Sequence, residues 1–488
     1  MPGKEMKRIL FILFIFLLSF LFLPLFQDHG HLIPERPLQG FFPKTAEITF
    51  SDVTWREWKQ GVFQQKYMEN NQQRTGLRSW FIRIRNQVDY SLFNLLHARG
   101  FICGKQGYMF EEDYIREYTG EFFAGTSTID SKLMLLKRLQ DTLRKQNVHL
   151  LLVFEPGKAS FFPEYIPSEY LKSKNPTSNY QYMIAKANEL GIRYVDLNRS
   201  MLQLKNRVPY PLFPKHGMHW SIYGMHCCFD SLYPAMEKEM VTKLPRMTLG
   251  PVEFIYEERE TDKDIENLSN LLFGLDPERL AYPSVSFGRE GKKINSTLVV
   301  GDSYFVNVFD HQLMNGISDK NKYWYYYSTL YPDIYESPKS IDTTHLKEQI
   351  LHHNLILLAS SEINLHCLYW GFLDDLGRCL LKDYKPGKIA DIENQIRNSR
   401  EWFESIVTKA RFRGRTTEEM LSEDARYIFY NQYQSIPGKT RPDSLLYIQL
   451  SILHDTTWLK SVEAKAMASK KSLDEQLKAE AVYLLDHK

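Results

Sequence analysis

The segment Val299-Val300-Gly301-Asp302-Ser303-Tyr304 places a serine directly after Gly-Asp at the end of an apolar run. In open parallel sheets reactive groups lie beyond the carboxyl ends of the strands, and a small residue such as Gly301 lets the backbone turn tightly there. A helix starting near Ser303 would aim its free backbone N–H groups at an oxyanion developing on a carbonyl substrate. Such a serine suits nucleophilic acyl transfer. Helix capping by Asp302 or Ser303 is the alternative use of the same residue types. A hydroxyl nucleophile needs a base, and a second segment offers candidates: Pro214-Lys215-His216-Gly217-Met218-His219-Trp220-Ser221-Ile222-Tyr223-Gly224, with His226 close behind. No H-E-x-x-H or other ligand spacing with a carboxylate at a helical offset accompanies these histidines, so a general base is expected and neither a metal nor a cofactor.

The order of the blocks, His-Trp first and strand-Gly-Asp-Ser later, is preceded by FEPGKASFFPEYIP (154–167) and YVDLNRSM (194–201). Upstream stand WKQGVFQQKYMENNQQRTGLRSWFIRIRN (58–86) and CGKQGYMFEEDYI (103–115). Together they resemble the alginate O-acetyltransferases of the AlgX/AlgJ type and their DHHW relatives, over about residues 50–380. The resemblance implies an SGNH-hydrolase-like domain whose motif order is permuted relative to ordinary SGNH esterases. It implies Ser303 as nucleophile and His219 as base, with Gly301, Asp302, Tyr304 and Trp220 as supporting motif residues. Lys158 and Pro163 match a motif of unassigned mechanical role. One position departs: the family reads Asp-x-His-Trp, and here Gly217 stands at the Asp position. That carboxylate would orient the imidazole, and its loss from a triad costs about 10⁴ in rate in a well-studied protease. Asp196 and Glu362, both ending predicted strands, are the candidate substitutes; a Ser–His dyad oriented by a backbone carbonyl or water is the other solution.

The activity implied by this resemblance is extracytoplasmic O-acetylation of hydroxyls on a cell-surface or secreted polysaccharide through an acyl-serine. Acetyl-CoA is confined to the cytoplasm, so the resemblance also implies a partner, a multi-spanning membrane O-acyltransferase that exports acetyl groups. A carbohydrate esterase using the same residues is one alternative. A catalytically impaired polysaccharide-binding or assembly protein, motivated by Gly217, is the other.

These residues need strands to hold them. HLLLVFEP (149–156), IRYVDL (192–197), STLVVGDS (296–303) and NLILLAS (354–360) are apolar runs separated by helical patterns at Asp130–Gln146 and Asn179–Leu190. Uninterrupted apolar strands alternating with helices indicate an α/β fold, a parallel sheet covered on both faces. Upstream, apolar spacing over Trp55–Arg99 predicts two helices broken at Gly76, and FICGKQGYMF predicts a hairpin. From about Lys382 the sequence turns charged and amphipathic, which predicts a helical appendage broken near Pro437 and Pro442.

At the N-terminus Ile9 to Phe26 is free of charge and close to the about 20 residues that span a bilayer. Lys4, Lys7 and Arg8 precede it, so the positive-inside rule puts the tail in the cytoplasm and the main domain outside. FLPLFQDHGH offers no small-x-small cleavage site, so an uncleaved signal anchor is expected in the cytoplasmic (inner) membrane, with the main domain periplasmic. The expected organisation is a tail (1–8), a transmembrane anchor (9–26), a linker punctuated by Pro34, Pro37 and Pro43 (27–45), the SGNH-like domain (46–382) and the helical C-terminal region (383–488). With 43% hydrophobic and 25% charged residues the chain is ordinary globular protein, and 61 basic against 59 acidic residues give no field to attract nucleic acid. Its 5 cysteines are an odd number with no metal spacing and read as small buried hydrophobes.

Overall fold

The computed structural model describes residues 4–40, 54–172, 175, 177–384, 386–436 and 438–487. The chain divides into two compact units. One comprises Met1–Glu112, Pro214–Met218 and Ile255–Leu280; the other comprises Asp113–Phe213, His219–Phe254 and Ala281–Lys488. The strands in chain order are β1 (Phe101–Cys103), β2 (Met109–Glu111), β3 (His149–Glu155), β4 (Tyr194–Asp196), β5 (Met247–Ile255), β6 (Leu280–Phe287), β7 (Ile294–Gly301), β8 (Ser318–Tyr325), β9 (Thr329–Leu330) and β10 (Leu355–Ser361).

The larger unit is built on a six-stranded sheet of order β4-β3-β10-β7-β8-β9. The four strands read from the sequence are present and mutually parallel, with Leu355 opposite His149, Leu355 opposite Thr297 and Phe154 opposite Asp196. The sheet as a whole is mixed, because β9 runs antiparallel to β8 at the edge. Sequence reading missed these two strands: Ser318–Tyr325 carries a charged first half that no buried-strand pattern fits, and β9 is two residues long. Leu150, Leu152 and Phe154 join Leu133, Leu136, Leu139 and Leu143 of the helix Thr126–Arg144 and Met183 and Ala187 of the helix Asn179–Leu190 in one core. The helix Asn179–Leu190 has the predicted bounds for local reasons: Ser178 and Gln181 form a capping box at its start, and Gly191 ends it at φ 61°, a left-handed conformation that suits glycine. Helices Leu197–Leu204 and Ile222–Met240 also pack on β3.

The C-terminal region is helical as expected, with helices Lys388–Asn398, Arg400–Arg413, Thr417–Gln432, Arg441–His454, Thr456–Ser469 and Leu473–Asp486. It is less of an appendage than the sequence suggests. Phe122 lies in one buried cluster with Ile396, Phe403, Ile406, Val407, Met420 and Phe429, and Arg116 pairs with Glu404 at 2.8 Å. Pro442 does not break a helix but sits in the first turn of Arg441–His454, behind the Thr440–Asp443 capping box. Pro437 lies outside the described residues.

In the smaller unit β1 and β2 form the predicted hairpin. The helical lead-in has three segments, Trp55–Lys59, Val62–Arg74 and Arg78–Phe93, because the chain breaks at Gly61 as well as near Gly76. Leu96, Met109 and Ile265 form its core with Tyr90, Phe101 and Leu275 around them. The N-terminal helix Lys4–Gly30 contains Pro24 and is bent by 42° between Met6–Ser19 and Phe22–Gly30. Among the described residues no single straight helix is long and apolar enough to cross a membrane; this bent pair meets the requirement of length and composition only together. The linker's Pro43 and the predicted domain start at 46 lie outside the described residues. All five cysteines are free thiols, but only Cys228 and Cys367 are buried, and Cys379 is exposed.

Candidate active site

Parallel pairing brings the ends of four strands to one edge of the sheet. Ser361, the last residue of β10, is aligned with Glu155, the last of β3, and Gly301 ends β7 next to them. Beyond Gly301 the chain turns at once into the helix Tyr304–Asp310, with Ser303 as the residue before it. The Ser303 side chain makes no capping bond, so its hydroxyl is left for another partner. That partner is His219, whose Nε2 lies 2.9 Å from Ser303 Oγ. The contact is at the hydrogen-bonding distance that a nucleophile–base pair requires. His219 reaches it from the residue preceding Trp220, just ahead of the helix Ile222–Met240 that Ser221 caps by accepting from the Gly224 N–H at 2.9 Å.

The imidazole is held by aromatic packing. The buried Tyr304 ring lies 5.0 Å from the His219 ring and 4.9 Å from that of Trp220, so the motif residues on both sides of the pair form one wall. Asp302 is buried and does more than cap. Its Oδ2 accepts the Ser361 N–H at 2.8 Å, the Ser361 hydroxyl at 2.6 Å and the Asn364 amide at 2.7 Å, while Oδ1 takes only a long contact of 3.3 Å from the Tyr304 N–H. The Tyr323 hydroxyl donates to the Asp302 carbonyl. The turn that carries Ser303 is thereby bolted to the end of β10 and to β8. Glu155, also fully buried, has no donor on either carboxyl oxygen. Burial, and next the negative charge of Asp302, push its pKa well above the ordinary carboxylate range.

Sequence reading missed Glu155, Ser361 and Asn364. The available signal was an acid closing an otherwise apolar strand, LLLVFE, and polar residues directly after NLILLA. The candidate orienting carboxylates are engaged elsewhere. Asp196 accepts the Arg199 N–H at 2.9 Å as a helix cap and the Tyr180 hydroxyl at 2.9 Å. Glu362 accepts from the Ser160 hydroxyl and the Asn198 amide, and burial first of all raises its pKa to about 8. Neither has His219 among its partners. Lys158, buried, opens the short helix Lys158–Phe161 directly after β3, and Pro163 opens the turn Pro163–Tyr165 that follows. The histidine block disperses: His226 Nδ1 accompanies the Ile222 carbonyl at 2.6 Å within its own helix, and His216 lies with Glu258.

At Gly217 a Cβ would stand 2.5 Å from the Thr261 carbonyl oxygen and 2.8 Å from that of Asp262. Both are backbone atoms, so the segment 261–262 occupies the room that an aspartate at 217 would need.

Residues 101–288 match the family model described as the SGNH hydrolase-like domain of the acetyltransferase AlgX. This stretch is similar to AlgX-type SGNH hydrolase-like domains. The match includes Lys158, Gly217, His219 and Trp220 and ends before Ser303, which the 2.9 Å contact to His219 adds. A curated relative, "Probable alginate O-acetylase AlgJ" of Pseudomonas putida, is 24% identical over 223 residues, 45% of this chain and 54% of the relative. The chain thus spans about half the length of the curated relative it matches. Among solved structures, the O-acetyltransferase domain of Pseudomonas putida AlgJ aligns with a TM-score of 0.36 and 20% identity over 55% of this chain and 92% of that one. Pseudomonas aeruginosa AlgX aligns with a TM-score of 0.36 and 14% identity over 56% of this chain and 64% of that one.

Proposed function

We propose that this AlgX/AlgJ-like chain is an extracytoplasmic O-acetyltransferase acting on hydroxyls of a cell-surface or secreted polysaccharide through an acyl-enzyme on Ser303. The observation that carries the reading is the 2.9 Å contact between His219 Nε2 and Ser303 Oγ at the carboxyl end of the sheet. His219 takes the Ser303 proton as Oγ attacks the carbonyl carbon of an acetyl donor, and passes it to the leaving group. A sugar hydroxyl then attacks the acyl-serine, gives its proton to His219, and Ser303 leaves with that proton restored. Backbone N–H groups around Ser303 stabilise the oxyanion in both halves. The apolar N-terminal helix anchors the chain in the cytoplasmic membrane with the main domain outside, beside a multi-spanning O-acyltransferase that delivers acetyl groups. Water as acceptor in place of a sugar hydroxyl would make the same site a carbohydrate esterase.

A second reading rests on Gly217: without the orienting carboxylate at that position, the protein binds or assembles polysaccharide without turnover. Mass spectrometry after incubation with an activated acetyl ester separates the two. An acetyl increment on the Ser303 peptide, lost in Ser303→Ala, supports the transferase. No increment and no ester turnover in the native chain assigns the binding role.

A further inference from the structure

We propose that His216, Glu258 and Glu266 form a binding site for one divalent transition-metal ion in the smaller unit. The three residues come from separate segments: the loop 214–218, the stretch after β5, and the short helix Asp264–Ser269. His216 Nδ1 lies 3.3 Å from Glu258 Oε1 and 3.7 Å from Glu266 Oε2, and all three donor atoms lie within 4.8 Å of one another. A tetrahedral ion with bonds of about 2.0–2.2 Å spaces its ligand atoms by about 3.3–3.6 Å, so the 3.3 Å edge already has that length and the 3.7 Å edge lies just beyond it.

Charge makes the same demand. Two carboxylates face one imidazole nitrogen, whose single N–H can bond to one oxygen only; the 3.7 Å contact is beyond hydrogen-bonding range. Even an imidazolium leaves one negative charge over, in a place where His216 is 5% and Glu258 6% exposed. Among the described residues no lysine or arginine pairs with either carboxylate. Burying an uncompensated carboxylate is costly, and a doubly charged cation compensates both while leaving the imidazole neutral, as a metal ligand must be.

The surroundings hold the donors in place. Glu258 Oε1 accepts the Glu278 N–H at 3.2 Å, and Glu266 Oε1 accepts the Leu275 N–H at 3.0 Å, which leaves Glu266 Oε2 turned to His216. The His216 carbonyl accepts the N–H groups of Ile265 and Glu266 at 3.1 and 3.2 Å, tying the histidine loop to the helix that carries the third ligand. Such outer contacts orient metal ligands. One imidazole with two carboxylates selects a first-row transition ion over calcium or magnesium, which favour oxygen alone. The ion would fix the loop 214–218, whose His216 stands three residues before His219 in the chain, and so act as a structural brace.

The test uses the full chain in detergent, with its affinity tag removed, stripped with chelator and given one equivalent of zinc before desalting and elemental analysis. The native chain is expected to retain about one zinc. Glu266→Gln, which removes a charge but little volume, and His216→Ala are expected to weaken zinc binding by more than the about 10–100-fold that loss of an outer contact costs. Circular dichroism reports whether each variant is folded. Zinc lies high in the affinity order of divalent ions, so failure of the native chain to retain it overturns the proposal without reference to any variant. Equal retention in native, Glu266→Gln and His216→Ala chains overturns it as well.

Discussion

Ser361 closes on Asp302 twice, with its backbone N–H at 2.8 Å and its hydroxyl at 2.6 Å on the same carboxylate oxygen. The last residue of β10 thus holds the turn that carries Ser303. Ser361→Ala keeps the backbone bond and removes the hydroxyl from a buried acidic acceptor, which costs about 1.5–3 kcal/mol. Chemical denaturation is expected to show that loss, and ester turnover is expected to fall with it.

Ser303→Ala removes the proposed nucleophile at a half-buried position whose side chain makes no capping bond. Unfolding free energy is expected to change by less than about 1 kcal/mol. Acyl-enzyme formation is expected to vanish, with turnover lowered by about 10⁴ or more. A variant with native turnover would remove Ser303 from the chemistry.

Gly217→Ala tests the crowding by the 261–262 backbone. A Cβ 2.5 Å from a carbonyl oxygen forces the backbone to move, at about 1–3 kcal/mol. The melting temperature is expected to fall, and Gly217→Asp, which restores the family residue, is expected to fall at least as far without a gain in turnover.

Stability should decline with rising pH because of Glu362. Its pKa is about 8 in the folded chain against 4.5 for the free side chain, chiefly through burial. Over that window the folded state holds a proton that the unfolded state has released. The stabilisation is therefore complete below pH 4.5 and is lost as pH rises through 8, on the order of a few kcal/mol. Glu117, also raised to about 8, adds to the same trend. Glu362→Gln mimics the neutral acid, so its melting temperature is expected to approach or exceed the native one at pH 9 and to show a shallower decline between pH 5 and 9.

Ile406→Ala probes whether the C-terminal helices are part of the larger unit's fold. Ile406 is fully buried in the cluster that includes Phe122. A cavity there costs about 2–5 kcal/mol. A single unfolding transition shifted to lower temperature is expected; an early, separate transition would show that 383–488 melts by itself.

The sequence disclosed the sheet's four apolar strands because β3, β7 and β10 are buried over most of their length and β4 buries Val195, and it pointed to Ser303 and His219, which lie 2.9 Å apart, because each stands in a short block with a strand or a helix boundary beside it. It did not disclose β8, whose Lys320 and Lys322 break the apolar run. Asp302's role was hidden because its partners Ser361 and Asn364 are brought to it only by parallel pairing of β10 with β7. Asp196 and Glu362 do end or follow strands at the expected edge, yet local hydrogen bonds from Arg199, Tyr180, Ser160 and Asn198 claim them, and no spacing rule foretells that. The His216–Glu258–Glu266 cluster escaped for the same reason: its members share no motif and meet only through the fold.

The central position of β10 has a consequence for biogenesis. It inserts between β3 and β7, with Leu355 opposite both His149 and Thr297. A nascent chain that has emerged only as far as β7 therefore holds two apolar strands with unfilled edges and no middle, and the Asp302 turn lacks Ser361. The sheet can close only after residue 361 is delivered, so the polypeptide must be shielded from strand-to-strand aggregation throughout that interval.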